Sequence, residues 1–233
     1  EFVDREKPRH KVVIRRKFAV GKFEVTRGQY SKFVSATDRS SGKGCYEIGG
    51  KKSAKRNWRS PGYEQTDRHP ATCISWLEAT AYTNWLSEQT GSVYRLLSET
   101  EFEYAARAGS TTVRYWGNDW KNIDICDFEN ISICTDDNNY VAPVGAYRAN
   151  AFGLHDMLGN LAEHTEDCWY ANYKKTPSNG SPRMVSPCRW RVLRGGSWQS
   201  VPYRVRSAMR GYINPYGSVL NSVGFRVARS LSE

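Results

Sequence analysis

The chain has 233 residues, 39% hydrophobic and 13% aromatic, punctuated by 19 Gly and 9 Pro. That length suits one large domain or two small ones, and the mixture argues against a helix bundle and for loop-rich α+β or β structure. The formal charge of +10 sits largely in Arg5–Lys17 and in Lys51, Lys52, Lys55, Arg56 and Arg59. It comes with no zinc-finger, helix-turn-helix or RNA-binding signature, so it reads as a solvated basic surface rather than a specific nucleic-acid interface. No apolar run approaches the roughly twenty residues a membrane-spanning helix needs. The first residue is Glu, not Met, so the sequence reads as trimmed or processed, and a leader could have been lost.

In chain order, residues 12–20 and 23–25 have the apolar or alternating pattern of strands. Thr26 is a suitable N-cap for a helix from Arg27 to Ser35. Residues 40–67 form a polar loop. Ser75 caps a second helix, with Trp76, Ala79, Tyr82, Trp85 and Leu86 near helical spacing and Gly91 as its stop. Residues 94–97 read as a short strand. Ser98-Glu99-Thr100-Glu101 is a capping box opening a third helix from Glu99 to Ala108, which Gly109 ends. Residues 110–150 are loop-like and aromatic, with Trp116 and Trp120. A short strand or turn follows at 160–166. No repeat or linker divides the chain, which is therefore read as one domain over 1–233.

The six cysteines are Cys45, Cys73, Cys126, Cys134, Cys168 and Cys188. Six allow fifteen pairings, and none forms the Cys-x-x-Cys of a zinc ribbon or redox motif. Their spacing suggests nearest-neighbour loops: Cys45–Cys73, Cys126–Cys134 and Cys168–Cys188. Such bridges would place the chain in an oxidising compartment, secreted or at a cell surface. Free buried thiols are the alternative.

The last forty residues are unusual. Arg191-Val192-Leu193-Arg194-Gly195-Gly196-Ser197-Trp198 and Val223-Gly224-Phe225-Arg226-Val227-Ala228-Arg229 frame an aperiodic filling of Ser, Val, Tyr, Gly, Ile, Asn and Leu. No Lys, Asp or Glu occurs from Gly195 to Ser232. Tyr, Ser, Gly and Asn give contact area at low entropic cost, as paratopes do. The filling is therefore a candidate ligand face: Ser200, Val201, Tyr203, Gly211, Tyr212, Ile213, Asn214, Tyr216, Gly217, Val219, Leu220, Asn221 and Ser222. Tyr203, Tyr212 and Tyr216 are its expected anchors, with Trp198 and Phe225 packed beneath.

Several runs together, in this order, carry a family resemblance. They are Phe23-Glu24-Val25-Thr26, His69-Pro70 with Ile74-Ser75-Trp76, residues 94–107, Arg114-Tyr115-Trp116-Gly117, Ala142-Pro143-Val144-Gly145, residues 152–160, and the terminal frame. The chain resembles the formylglycine-generating enzyme (sulfatase-modifying factor) family over nearly its whole length. The resemblance implies an α+β, C-type-lectin-like fold, rich in loops, with short strands and two to three helices.

It also implies three branches of function. The enzyme branch oxidises a substrate cysteine to formylglycine with copper held by two cysteines after the Gly-Gly-Ser frame. Here the first position is Ser200 and the second falls at 202–205, where no cysteine stands. Serine is a poor Cu(I) ligand, so no copper is expected. An iron-dependent branch needs a histidine cluster; His10, His69, His155 and His164 are scattered. The third branch comprises the variable proteins of diversity-generating retroelements, in which adenine-directed mutagenesis diversifies AAY codons. Those codons yield Ser, Val, Tyr, Gly, Ile, Leu and others, but never Lys, Glu, Gln, Met or Trp. The filling at about 199–222 fits, apart from Gln199 and Met209.

The expected function is thus non-enzymatic binding of a protein or surface ligand through the C-terminal face. The alternative is a metal-dependent oxidase of the same family. The resemblance further implies structural calcium. One site would use Asp156 and Glu163 side chains with the Gly159 and Leu161 carbonyls, and a second would use Asn122, Ile123, Asp136 and Asn138.

Overall fold

The computed structural model describes residues 2–39, 44–46, 52–119, 124–135, 138–216 and 219–231. Four helices are found there: α1 (Phe2–Arg5), α2 (Arg27–Thr37), α3 (Trp76–Thr90) and α4 (Glu99–Arg107). The strands are β1 (Phe18–Val20), β2 (Cys45–Tyr46), β3 (Lys52–Ser53), β4 (Tyr94–Arg95), β5 (Ala162–Cys168), β6 (Arg191–Arg194), β7 (Gly211–Ile213), β8 (Val223–Gly224) and β9 (Ala228–Ser230).

The three longer helices start where their capping chemistry dictates. Thr26, Ser75 and Ser98 each accept from the backbone N–H three residues on, while Gln29, Glu78 and Glu101 reach back to the cap. Each box satisfies two amide donors that a helix start leaves open. Gly91 ends α3 in the left-handed region. In α4 that turn falls one residue early: Ala108 is left-handed at φ 45° and its N–H bonds Tyr104 O.

The expected strand at 12–20 shrinks to Phe18–Val20, because the ladder with β9 runs only from Phe18 opposite Ser230 to Val20 opposite Ala228, while Val13 N donates instead to Ser178 O. Residues 23–25 form no ladder; instead Val25 N donates to Phe225 O and Val25 O accepts from Ala71 N. The stretch at 160–166 is strand β5, running on to Cys168.

The sheets follow from these pairings. One has the order β1-β9-β4, all antiparallel, so the two ends of the chain meet. The larger has the order β7-β6-β5-β8, in which β5 and β8 alone run parallel. Helix α2 and helix α3 close an aromatic core in which Tyr30, Phe33, Trp58, Tyr82 and Phe225 are buried. Helix α4 brings Phe102 and Ala105 into a second cluster with Met157 and Leu154. Long irregular connections between short elements, covered by both sheets, make this the α+β, C-type-lectin-like architecture.

The three expected disulfides form: Cys45–Cys73, Cys126–Cys134 and Cys168–Cys188. Bridges of this kind persist in an oxidising compartment, which points to an extracytoplasmic protein. No helix among the described residues is long and apolar enough to cross a membrane.

Candidate functional site

The terminal frame holds its shape through buried guanidiniums. Arg194 is buried and donates to Glu103 at 2.7 Å, to Glu99 at 3.4 Å and to the carbonyl of Ala208 at 3.0 Å. Arg210 donates to Glu99 Oε2 at 2.8 Å. Gly195 and Gly196 turn the chain out of β6 with φ of 92° and 80°, a backbone that side chains resist. Gly224 lies so close to its neighbours that a Cβ would sit 2.6 Å from Leu161 Cδ1 and 2.7 Å from Ala71 O.

On this frame Tyr203, Tyr212 and Tyr216 are exposed by 55%, 43% and 75%, as outward anchors would be. The Asn214 side chain accepts from Tyr216 N at 2.8 Å and so shapes the turn presenting that ring. Ser200, Val201, Gly211, Asn214, Val219 and Leu220 are partly exposed. Ile213, Asn221 and Ser222 are buried and belong to the scaffold rather than to an open face. Ile213 packs with Leu193 and Val223, and Asn221 N donates to Tyr46 O. Gly217 lies outside the described residues. Phe225 packs in the core as expected, while Trp198 is only partly covered.

Other residues join the anchors. Tyr212 sits 4.8 Å from the Trp169 ring and 5.4 Å from that of Trp190. The Arg5 guanidinium lies 5.7 Å from the Trp169 and Tyr212 centroids, and Glu6 pairs with Arg206 at 2.6 Å. A second aromatic group surrounds the base of the filling: Tyr63 stacks on Tyr140 at 4.9 Å, and Trp198 meets both edge-on. Trp198 Nε1 and Gln199 Oε1 are buried without partners. The aperiodic loops that carry Tyr63, Tyr140 and Trp169 hold no local signal that would have grouped these rings.

Glu129 is likewise absent from any sequence pattern. It is fully buried, neither carboxyl oxygen has a partner, and the nearest cation, Arg114 Nε, is 3.9 Å away. Burial pushes its carboxyl well above the usual range, opposed by Arg114. Arg114 in turn donates to Pro202 O, so the pair braces residues 200–205 from behind.

The positions where the enzyme branch carries thiolates have no sulfur. Ser200 Oγ accepts from Ser197 N at 3.0 Å. Val205 is fully buried among Ile125, Ile131 and Leu158. All six cysteine sulfurs are in disulfides, so no thiolate is free to hold Cu(I). The histidines stand apart: His164 Nε2 donates to Ile74 O, and His155 Nδ1 lies 2.7 Å from Tyr147 O.

At the expected calcium segment, Asp156 Oδ2 accepts from Gly145 N at 2.8 Å, while its buried Oδ1 has no partner. That open oxygen fits the chemistry of a calcium ligand. Glu163 already has a counter-charge, since both its oxygens accept from Arg226. Burial raises the Asp156 and Glu163 carboxyls, and Arg226 opposes this in both. Among the described residues, no group of three or more His, Cys, Asp or Glu is placed to hold a metal. Of the second set, Asn138 donates to Tyr147 Oη at 3.3 Å; Asn122, Ile123 and Asp136 lie outside the described residues.

A family model described as the sulfatase-modifying factor enzyme 1-like domain matches residues 1–231. The chain belongs to this family. Within the family's reach, the formylglycine-generating enzyme of Streptomyces coelicolor is 35% identical over 188 residues, covering 74% of this chain and 58% of that protein. Serine/threonine-protein kinase pkn1 of Chlamydia caviae is 30% identical over 97% of this chain, which spans only 35% of that protein. Among solved structures, PvdO from Pseudomonas aeruginosa superposes with a TM-score of 0.89 at 35% identity, over 98% of this chain and 86% of that one. Treponema denticola variable protein 1 has a TM-score of 0.71 at 20% identity, over 92% and 84% of the two chains; it shares the fold.

Proposed function

We propose that this chain is a ligand-binding member of the family, secreted or displayed at a cell surface, acting through its C-terminal face without catalysis. The observation that carries the reading is the exposure of Tyr203, Tyr212 and Tyr216 on a frame with serine at 200 and no cysteine across 202–205. Large amphipathic rings on a rigid support suit contact, and serine does not suit Cu(I) chemistry. On an array of glycans and peptides, the wild type should retain at least one class that Tyr212→Ala/Tyr216→Ala loses without unfolding. Retention by the double variant would misplace the face.

The finer proposal is diversification of the exposed part of 199–222. All three exposed tyrosines fall within the AAY codon set. A near-copy of the gene's 3′ end differing at adenines would establish it; a genome with neither such a copy nor a reverse transcriptase would refute it.

The second reading is a metal-dependent oxidase, favoured by the 35% identity to a formylglycine-generating enzyme. Formylglycine formed from a cysteine peptide in the presence of Cu(I) would establish that reading and displace the first.

Calcium remains part of the proposal as a structural ion at Asp156, Glu163 and the carbonyls of Gly159 and Leu161. Its addition should raise the melting temperature of the wild type and leave Asp156→Asn unmoved; equal responses would place the ion elsewhere.

A further inference from the structure

A groove of about 910 Å³ lies beside the end of β9, lined by Ile14–Lys17, Arg95, Glu101, Glu166, the loop 179–182, Ser230 and Leu231. Its volume is in the range of small-ligand sites. The lining is asymmetric in charge. Arg15, Arg16 and Lys17 stand exposed along the extended segment before β1, and none has an acidic partner among the described residues.

The inner acids differ in availability. Glu101 is occupied, taking both Arg95 Nη groups at 2.6 and 2.8 Å, while Arg95 Nε donates to Ser230 Oγ at 3.1 Å. Glu166 has its main chain fixed at both ends, the N–H on Leu97 O at 2.9 Å and the C=O under Arg191 at 2.7 Å. Glu166 lines the groove, and its carboxyl accepts no hydrogen bond from the described residues. Burial raises this group, and Arg95 opposes the rise. An immobilised, half-buried acid is thus left without a donor behind a cationic rim.

A plain anion would meet Glu166, and a plain polycation would meet Arg15, Arg16 and Lys17. A ligand carrying both charges satisfies both ends. We propose that this groove binds a short peptide with a free amino terminus and acidic groups, its ammonium on Glu166 and its carboxylates on Arg15, Arg16 and Lys17. This site is separate from the tyrosine face and stands or falls independently of it.

Calorimetry at low ionic strength with triglutamate, N-acetyl-triglutamate and inorganic phosphate tests the assignment. A charge-assisted contact is worth about tenfold in affinity. Triglutamate should therefore bind about tenfold more tightly than its acetylated form. Glu166→Gln should erase that preference, whereas Arg15→Ala/Arg16→Ala should weaken both peptides. Melting curves of each variant confirm folding. Equal binding of the two peptides, or a preference that survives Glu166→Gln, would overturn the proposal. Phosphate binding that tightens in Glu166→Gln, with no peptide preference, would reduce the groove to an anion patch and overturn it as well.

Discussion

Arg226 Nη2 donates to Glu163 Oε1 at 2.9 Å with both side chains out of solvent. The same guanidinium donates to Gly21 O at 2.9 Å and His155 O at 2.8 Å. One residue of the closing frame therefore ties the turn after β1, the 155 loop and β5 together, and its charge offsets a neighbourhood of carboxyls. Glu24 is raised by burial and by Asp156 and Glu163, with Arg226 opposing.

Removing Arg226 alone leaves a buried acid without its counter-charge. Arg226→Met should cost about 3–5 kcal/mol in urea unfolding. Arg226→Met/Glu163→Gln should recover part of that loss, because both members of the pair are then neutral. A single-variant loss too small to measure would show that the pair does not hold the frame.

Glu129 has the opposite problem, a carboxyl with no donor. Burial raises its folded pKa well above the ordinary 4.5, so above pH 4.5 the folded chain holds this proton more tightly than the unfolded chain does. The associated stability is complete below pH 4.5 and falls as pH rises toward the folded value. Glu129→Gln should thus stabilise the protein at pH 7 relative to wild type and lose that advantage near pH 4. Parallel stability curves for the two proteins would contradict this.

His164 works in the other direction. Its Nε2 is on Ile74 O, its Nδ1 has no partner, and burial lowers its pKa from 6.5 to about 4. The unfolded chain then takes up a proton below pH 6.5 that the folded chain refuses, so stability is lost as pH falls from 6.5 to about 4. The full loss is on the order of 3 kcal/mol. His164→Gln should flatten this component. The check is the wild-type-minus-variant difference between pH 4 and 7, which should shrink or reverse on acidification; a constant difference would refute it.

The disulfides close loops of 28, 8 and 20 residues. Chain entropy assigns about 3.6 kcal/mol to the longest and about 2.5 kcal/mol to the shortest. Cys45→Ala/Cys73→Ala should therefore lower the denaturation midpoint more than Cys126→Ala/Cys134→Ala. The longer bridge also anchors Cys45 beside Tyr46, which pairs with Leu220, so its loss should disturb the C-terminal segment. The reverse ranking would refute the entropic account.

Local chemistry decided much of the architecture before any contact was known. Thr26, Ser75 and Ser98 announce their helices because capping acts within four residues. The cysteine spacing suggested the three bridges because short loops are the easiest to close. The jointly ordered family runs carried the fold class, and the absence of cysteine at Ser200 and across 202–205 was visible as residue types. Burial, however, is a property of packing. Only the tertiary structure separated exposed Tyr203, Tyr212 and Tyr216 from buried Ile213, Asn221 and Ser222 within one aperiodic stretch. Only long-range approach could leave Glu129 without a donor, give Glu163 its arginine, and face Glu166 toward a cationic rim. Those pairings join residues 15–151 positions apart in sequence, a range over which periodicity and capping carry no signal.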